Sequence, residues 1–456
     1  MTAKQIGETR MASITCQGNL NIDGERLWQS LMSMAEIGAL PGGGCRRLGL
    51  TPEDSEARAL LVEWAMEIGC SVGRDLVGNL FIRRLGTQPD LPPVMVGSHL
   101  DTVATGGRFD GALGVLGGLE VMRTLQDASI ANERTIELVV WINEEGVRFV
   151  PGNTGAFAFA GENTVEQVLA DTDLHGISIG EALAALNEAG QEAVGGRPVE
   201  AYFELHVEQG PYLERAGVPV GIVTGTYTIK YFDLTITGRA AHLAQPLPDR
   251  QDALVGAAEA IIAIRKVGAT YGNDGRSNAS WINVFPNVRG TVAESVHMSC
   301  DVRHADPERA RAMAEDLEKA IEEASQRSGM PMTLESTLQF GPIEFDPELV
   351  DLLRATARAR GHKAQDILTV AGHDAIALAS VLPAAMIFVP SAGGLSHNER
   401  EYTDPESCAI GADILLHAVL AKAGISEQPL KLAEVNVGVM VCSNGCSGSG
   451  SGFAEP

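Results

Sequence analysis

Hydrophobic and polar positions follow two different periods along the chain, which predict helices and strands in turn. Apolar residues three and four positions apart predict helices over residues 25–34 and 52–69. Short runs rich in β-branched and aliphatic residues at 94–96 and 135–142 enclose a helical pattern at 114–125. The order strand, helix, strand predicts a βαβ unit and therefore an α/β fold.

Further buried strands are predicted far along the chain, at residues 202–207 and 385–389. Between them the pattern changes, because residues 232–236 alternate apolar and polar side chains as in a strand with one exposed face. An apolar helix at 252–267 and a second alternating strand at 296–302 follow. We therefore predict a second domain, starting near residue 225 and inserted into the first.

The composition is that of a folded globular protein, and its charge excludes some partners. The 456 residues are 45% hydrophobic and 20% charged, and this length is about three times the ~150 residues expected for one domain. Lys and Arg total 34 against 59 Asp and Glu, a net charge of -25 that repels phosphate backbones and anionic membrane surfaces. We expect neither nucleic acid nor a membrane as a partner.

Neither a membrane span nor an export signal is predicted. The longest mostly apolar stretch, 377–390, is interrupted by Ser380 and Pro383 and is too short to cross ~30 Å of hydrocarbon. The first residues lack the apolar run of a signal peptide, so a cytoplasmic location is expected. The seven scattered cysteines lack the spacing of a zinc ribbon or redox site, and we interpret them as reduced thiols.

Ionisable residues follow four of the predicted strands at the point where each strand ends. Ligands of open α/β sheets bind beyond the carboxyl ends of the strands, so these four segments are expected to converge on one edge. A fifth segment, carrying an aspartate, lies before a helix in the same region. The residues are His99, Asp101, Asp110, Glu144, Glu145, His206 and His397.

Three imidazoles with carboxylates and no cysteine are typical of a catalytic zinc, manganese or cobalt centre, because structural zinc usually takes thiolates. If Asp110 bridges two metals about 3.5 to 4 Å apart, the pair can acidify a water and hold both oxygens of a tetrahedral intermediate. Of the neighbours Glu144 and Glu145, one can bind metal while the other takes the proton of the water. Asp101 can accept the free imidazole N–H of His99 and fix its tautomer.

Each of these signals also has an ordinary structural interpretation. A His-x-Asp sequence after a strand is often a hydrogen-bonded surface pair, and adjacent glutamates are often a solvated turn. Their joint placement at strand ends, with glycines that let the backbone approach closely, favours a hydrolytic metal site. For His373 and Asp374, in a glycine-flanked loop near this site, a packing role and a role in substrate binding both stay open.

Six longer motifs resemble those of the hydantoinase/carbamoylase-type amidases, and the resemblance runs from about residue 20 to 424. This group contains N-carbamoyl-L-amino-acid hydrolases, β-ureidopropionases and allantoate amidohydrolases, within the larger superfamily of di-metal aminoacylases and exopeptidases. The motifs are Gly-Ser-His-Leu-Asp-Thr-Val (97–103), Gly-Gly-Arg-Phe-Asp-Gly (106–111), Asn-Glu-Glu-Gly-Val-Arg-Phe (143–149), Glu-Leu-His-Val-Glu-Gln-Gly-Pro (204–211), Ala-Gly-His-Asp-Ala (371–375) and Gly-Leu-Ser-His-Asn (394–398).

The resemblance implies an α/β, exopeptidase-like catalytic domain with a mixed sheet flanked by helices. A smaller α+β lid and dimerisation domain interrupts it, and a homodimer is expected. The catalytic domain is predicted in two parts, 20–224 and 339–424, with the lid over 225–338. A tail at 430–456, which contains a low-complexity stretch at 443–452, is expected to be disordered.

The resemblance also implies a role for each candidate metal ligand. His99 and His206 become ligands of one ion. Glu145 and His397 become ligands of the other, and Asp110 becomes the bridge. Glu144 is the implied general base. Two divalent ions are implied, with zinc favoured over manganese or cobalt. The peptidase branch has an acidic residue where His206 stands, which favours the carbamoylase branch.

For the substrate, the resemblance implies Gln209 as a contact, Arg303 as the clamp for a carboxylate and His242 as an oxyanion donor from the lid. Two departures affect this part of the site. Residues 242–247 read His-Leu-Ala-Gln-Pro-Leu where the family has His-Ala-Gly and a Thr-Pro-Met-like stretch, and Gly290 replaces a substrate-binding asparagine. No metal ligand changes, so we expect the chemistry to be kept and substrate recognition to differ.

We therefore expect a metal-dependent amidohydrolase that cleaves a linear C–N bond in an N-carbamoyl amino acid or a related ureido or N-acyl carboxylate. One rival is a dipeptidase or aminoacylase on the same scaffold. A rival of another class is a non-catalytic binding protein that keeps the fold. The complete ligand set argues against a pure binder, because a binder has no need of a base beside a bridging water.

Overall fold

A computed structural model describes residues 20–427, so the tail predicted at 430–456 lies outside the described residues. The helices are α1 Gly24–Ala35, α2 Pro52–Glu67, α3 Ala112–Asp127, α4 Thr154–Ala160, α5 Val165–Ala170, α6 Ile179–Leu186, α7 Tyr212–Ala216, α8 Ala253–Thr270, α9 Pro307–Ser328, α10 Pro347–Ala359, α11 Asp374–Leu378 and α12 Pro405–Ala423. The strands are β1 Ser71–Arg74, β2 Leu80–Arg84, β3 Val94–His99, β4 Ile136–Trp141, β5 Ala201–Val207, β6 Val220–Thr226, β7 Thr228–Thr237, β8 Ala241–His242, β9 Arg276–Phe285, β10 Thr291–Val292, β11 Ser295–His304, β12 Met332–Phe340, β13 Ala364–Thr369 and β14 Ala384–Val389.

The larger sheet has eight strands in the order β1-β2-β4-β3-β5-β14-β6-β13. Strands β4, β3, β5 and β14 run parallel to one another, whereas β1, β2 and β6 join the sheet through antiparallel pairs. All residues of the four parallel strands are buried, as expected where helices cover both faces. This mixed sheet flanked by helices confirms the predicted fold class.

The smaller sheet is antiparallel, in the order β12-β7-β11-β9, and it has a hydrophobic core of its own beneath helices α8 and α9. Strand β7 begins two residues after β6 ends, and the chain returns to the larger sheet after β12. The alternation at 232–236 is therefore explained, because Phe232, Leu234 and Ile236 face this core. The arrangement fits an inserted unit, and the boundaries at 225 and 338 stay a prediction.

The predicted elements are present with small shifts at their ends. Strand β3 continues three residues beyond the predicted 94–96 and ends at His99, which fixes that imidazole in the sheet. Helices α2 and α9 each begin with a proline after a capping residue, Thr51 and Asp306, whose side chains accept backbone N–H groups. Helix α3 extends the predicted 114–125 at both ends.

Within residues 20–427 no helix combines the length and the apolar character that a bilayer-spanning segment requires. The four cysteines in this part of the chain are buried and have free thiols, as expected for these four. They are Cys45, Cys70, Cys300 and Cys408.

Candidate metal centre

The functional side chains predicted from strand ends lie together at one edge of the larger sheet. His99 is the last residue of β3, and His206 is the last but one of the parallel strand β5. Glu144 follows β4 by three residues, and His397 lies in the loop after β14. Parallel strands end at the same edge, and this alignment brings together segments almost 300 residues apart.

The first candidate ligand group is formed by His99, His206 and Asp110, all buried. Asp110 Oδ1 lies 3.1 Å from His206 Nε2 and 3.7 Å from His99 Nε2. Gly111 permits this packing, since a Cβ there would stand 2.4 Å from the His99 ring. The donor atoms of the three side chains lie within 4.8 Å of one another and can converge on one ion.

The second candidate group is formed by Asp110, Glu145 and His397. His397 Nε2 lies 3.4 Å from Asp110 Oδ2 and 3.3 Å from Glu145 Oε2. Its side chain is 51% exposed, against 5% for Glu145, so this group opens towards solvent. Because each oxygen of Asp110 faces a different group, the geometry fits the predicted bridge.

Carboxyl groups crowd this edge, and their electrostatics fit bound cations. Burial raises the pKa of Glu144 to about 7, and the charges of Asp101 and Asp110 add to the effect of burial. Burial, with the charges of Asp110 and Glu144, raises the pKa of Glu145 well above its ordinary value. Burial also opposes ionisation of Asp110, but hydrogen bonds from His206 and His397 hold its pKa well below the usual range. Oxygen and imidazole donors with excess negative charge suit divalent ions such as zinc or manganese.

Glu144 is held by Asn153, a residue that the sequence did not single out. The Asn153 side-chain amide donates to Glu144 Oε1 at 2.8 Å, and its backbone N–H donates to the Glu144 carbonyl at 2.8 Å. Asn153 occupies the N-cap position of helix α4 in a left-handed conformation, φ +54°, but its side chain makes no capping hydrogen bond. The other oxygen, Glu144 Oε2, is thereby left facing His99 Nε2 at 3.5 Å. The signal in the sequence was the Gly152-Asn153 pair, because asparagine tolerates this conformation.

Asp101 contacts His99 through its backbone oxygen rather than through its side-chain carboxylate, which was the predicted partner. His99 Nδ1 lies 2.8 Å from the Asp101 backbone oxygen, and 3.8 Å from its carboxylate. The carboxylate instead accepts the backbone N–H groups of Glu144 and Glu145, each at 3.2 Å. The main chain of Asp101 therefore sets the tautomer of His99, while its side chain orients both glutamates.

Asp110 is surrounded by polar partners, of which Glu401 was not predicted. Glu401 Oε1 accepts the N–H groups of Phe109 and Asp110, each at 3.0 Å. Ser396 Oγ lies 2.6 Å from Glu401 Oε2 and 2.8 Å from Asp110 Oδ2. Gln209, the predicted substrate contact, donates from Nε2 to Asp110 Oδ2 at 2.8 Å. Its amide therefore reaches the centre of the site.

His373 lies beside the first ligand group without joining a hydrogen bond at Nε2 to any described residue. Its ring meets that of His206 edge to face, with centroids 4.5 Å apart. Burial, and then the charge of His206, lowers its pKa well below the ordinary value, so the ring is neutral. Its substrate-binding role stays a prediction, and its position next to His206 is compatible with one.

Arg303 reaches from β11 of the smaller sheet towards the larger one. Its Nε donates to Asp301 Oδ1 at 2.7 Å, and its Nη1 donates to the Val370 carbonyl at 2.9 Å, in the loop that leads to His373. Over the described stretch of chain, Nη2 makes no hydrogen bond. One edge of the guanidinium is therefore available to a substrate carboxylate.

His242 lies apart from the cluster, unlike the other predicted site residues. It is exposed on the two-stranded β8–β10 sheet, where it pairs with Thr291, next to Gly290. Its Nδ1 accepts the N–H of Ala244 at 3.1 Å, and it makes no contact with the metal-ligand groups of the described chain. Its predicted catalytic role is not explained by this arrangement and stays a prediction.

Comparison with known proteins places the chain among amidohydrolases. Residues 95–421 match the family described as peptidase family M20/M25/M40. An N-carbamoyl-L-amino-acid amidohydrolase of Rhizobium meliloti is 40% identical over 410 residues, which cover 90% of this chain and 99% of that protein. One of Geobacillus stearothermophilus is 37% identical over 407 residues, which cover 87% and 98%. The crystal structure of a hydantoinase/carbamoylase family amidase from Burkholderia vietnamiensis matches with a TM-score of 0.86 at 42% identity, covering 89% of this chain and 99% of that one.

Proposed function

The chain belongs to peptidase family M20/M25/M40, and from this premise we propose that it hydrolyses the linear C–N bond of an N-carbamoyl amino acid. The resemblance to hydantoinase/carbamoylase-type amidases is confirmed. The observation that carries the proposal is the pair of ligand groups that share Asp110, with Glu144 beside them. Both named relatives above are N-carbamoyl-L-amino-acid amidohydrolases.

Two divalent ions, with zinc favoured over manganese or cobalt, are proposed for the two groups. His99 and His206 would hold one, Glu145 and His397 would hold the other, and Asp110 would be shared between them. When bound, such a pair lowers the pKa of a water and polarises the carbonyl that the water attacks. The imidazole at position 206 distinguishes this set from the acidic residue of the peptidase branch.

Glu144 moves the proton in the proposed reaction. Its Oε2 accepts a proton from water as the water oxygen joins the carbamoyl carbon. The same carboxyl group then gives that proton to the amino-acid nitrogen as the C–N bond breaks. The products are the free amino acid and carbamic acid, which decomposes to carbon dioxide and ammonia. Asn153 keeps Glu144 oriented through both transfers.

Arg303 is the proposed clamp for the substrate carboxylate, and its available Nη2 supports this role. Gln209 and His373 are the proposed contacts of the carbamoyl group. An amide or ester in place of the carboxylate is expected to lose efficiency, because it cannot pair with the guanidinium.

A homodimer is proposed as the working form. Helix α8 exposes an apolar stripe that repeats every seven residues, and it lies beside β9, an edge strand of the smaller sheet. A second copy would cover both features. The exposed residues are Leu254, Val255, Ile261 and Ile262. A cytoplasmic location also stays a prediction from the sequence.

The test is a panel of N-carbamoyl amino acids, N-acetyl amino acids and dipeptides, given to metal-loaded protein. We expect the N-carbamoyl compounds to be hydrolysed most efficiently. Faster cleavage of dipeptides or N-acetyl compounds would favour the aminoacylase or dipeptidase alternative. Binding without any hydrolysis would favour a non-catalytic binding protein.

A further inference from the structure

Three aromatic rings form a continuous row next to the metal centre. Phe157 and Phe340 stack with their centroids 5.7 Å apart, and Phe340 meets Tyr231 edge to face at 5.9 Å. The three rings are partly exposed, although Phe157 also packs against the hydrophobic core of the larger sheet. Phe157 belongs to helix α4, which follows strand β4 of the larger sheet. Phe340 and Tyr231 belong to strands β12 and β7 of the smaller sheet, so the row crosses from one sheet's elements to the other's.

One end of the row meets the proposed carboxylate clamp. The Arg303 guanidinium carbon lies 5.9 Å from the centre of the Tyr231 ring. Tyr231 pairs with Asp301 across the strands, and its neighbour Phe232 faces the core beneath helices α8 and α9. Adjacent strand residues point to opposite faces, so Tyr231, Asp301 and Arg303 share the other face. This face meets the loop that leads to His373.

The other end of the row meets the proposed base. Phe157 follows Asn153 by four residues, and its backbone N–H donates to the Asn153 carbonyl at 2.9 Å in the first turn of α4. The Asn153 side chain donates to Glu144, so Phe157 lies within one helical turn of the residue that orients the base. Burial raises the pKa of Tyr231, and the charge of Glu144 is among the further causes, which puts Tyr231 within electrostatic reach of the base.

We propose that Tyr231, Phe340 and Phe157 are an aromatic subsite that binds the side chain of an aromatic or large apolar N-carbamoyl amino acid. The inference rests on the proposed function. A substrate held by its carboxylate at Arg303, with its C–N bond at Glu144, carries its side chain between these two points. The wall between them is the aromatic row, which favours ring stacking and apolar burial over small or charged side chains.

The test compares N-carbamoyl-L-phenylalanine with N-carbamoylglycine. We expect the wild type to favour the phenylalanine derivative by roughly 10- to 100-fold in kcat/KM, because burying a ring contributes about this much discrimination. Phe157→Ala and Phe340→Ala should each reduce this ratio at least several-fold, mainly through a higher KM for the aromatic substrate. Phe157→Leu and Phe340→Leu, which keep apolar bulk, should recover part of it.

Leu174→Ala is the control, because Leu174 is 94% exposed and lies outside the subsite. It should leave the ratio unchanged. Equal efficiency of the wild type on both substrates would overturn the subsite and leave the proposed function standing. An equal loss on both substrates in the Phe variants, with a lowered melting temperature, would show that the rings act only in packing. Absence of hydrolysis of either substrate would overturn the proposed function, and the subsite with it.

Discussion

The metal centre and the two-stranded β8–β10 sheet differ in how they hold their predicted functional side chains. We call the β8–β10 sheet the strip, and the edge of the larger sheet that carries the metal centre the buried edge. His99 and His206 are buried in adjacent parallel strands, and each ring has a backbone oxygen at Nδ1. On the strip, His242 is exposed, and Gly290 has a φ of +86° with open space around it. The larger sheet thus assembles the metal centre within a single chain. The strip acts only if it approaches the cluster, by movement of the smaller sheet or from a second copy.

This difference separates the proposed proton transfers from the implied oxyanion donor and the choice of substrate. In the proposed reaction, the side chains assigned to the proton transfers, Glu144 and Asn153, both lie at the buried edge of the larger sheet. The two departures from the family pattern, residues 242–247 and Gly290, lie on or directly beside the exposed strip, where Thr291 pairs with His242. Changes at the buried edge should therefore remove activity, whereas changes on the strip should alter turnover or selectivity without disturbing the metals.

Removal of the metals should have the largest effect on the buried edge. Exhaustive chelation and dialysis are expected to abolish hydrolysis without unfolding the protein, because the hydrophobic core of the larger sheet does not depend on the ions. Activity should return with Zn²⁺, Mn²⁺ or Co²⁺. Circular dichroism and turnover measured on the same samples test this, and undiminished hydrolysis after chelation would contradict a metal mechanism.

Exchange of one glutamate for glutamine should separate the two carboxylates. Glu144→Gln is expected to keep its metals and lose turnover by roughly 10² to 10⁴, because the amide cannot accept the proton of water. Glu145→Gln should lose bound metal, because a negative ligand is removed. Metal analysis of both variants is the measurement. An empty site in Glu144→Gln with a full one in Glu145→Gln would reverse the two assignments.

The residues of the buried edge were also the part of the site that could best be predicted from the sequence. A ligand at the end of a parallel strand is placed by the strand itself, so the pattern of strands was enough to bring His99, His206 and Glu144 together. Asn153 and Glu401 escaped notice because their roles come from tertiary contacts. Glu401 accepts from the backbone of Asp110, 291 residues away, and nothing in its own stretch of sequence marks it.

On the strip, the sequence identified the candidate residues but did not predict that they would lie exposed and apart from the metal centre. The motif identified His242 and Gly290, and the structure pairs their chain neighbours: His242 lies opposite Thr291, and the Leu243 N–H donates to the Gly290 carbonyl at 3.2 Å. Their exposure depends on how the smaller sheet is held against the larger one, which no local pattern encodes. The aromatic subsite was missed for the same reason, because Phe157 and Phe340 lie 183 positions apart and meet only across the two sheets.

Truncation of His242 tests whether the exposed strip takes part in catalysis. His242→Ala is expected to lower kcat by about 10²- to 10³-fold if the imidazole donates to the developing oxyanion. Metal content should be unchanged, because His242 makes no contact with the ligand groups in the described part of the chain. Steady-state kinetics with metal analysis check this. A change in kcat below twofold would remove His242 from the catalytic machinery and leave the buried edge to act alone.

Restoration of the missing amide should have the smallest effect and bears on selectivity alone. Without that amide, we expect the wild type to act weakly on ordinary N-carbamoyl-α-amino acids, those with small side chains, and better on N-carbamoyl compounds with a bulkier or less polar amine portion. Gly290→Asn should raise efficiency on the ordinary substrates by roughly 2- to 10-fold, the worth of one hydrogen bond. A Cβ at this position meets nothing within 4 Å, and asparagine tolerates the left-handed backbone. Gly290→Ala is the matched control, because it has the same backbone strain without the amide. If the wild type already prefers ordinary substrates and asparagine gains nothing over alanine, the strip does not set selectivity.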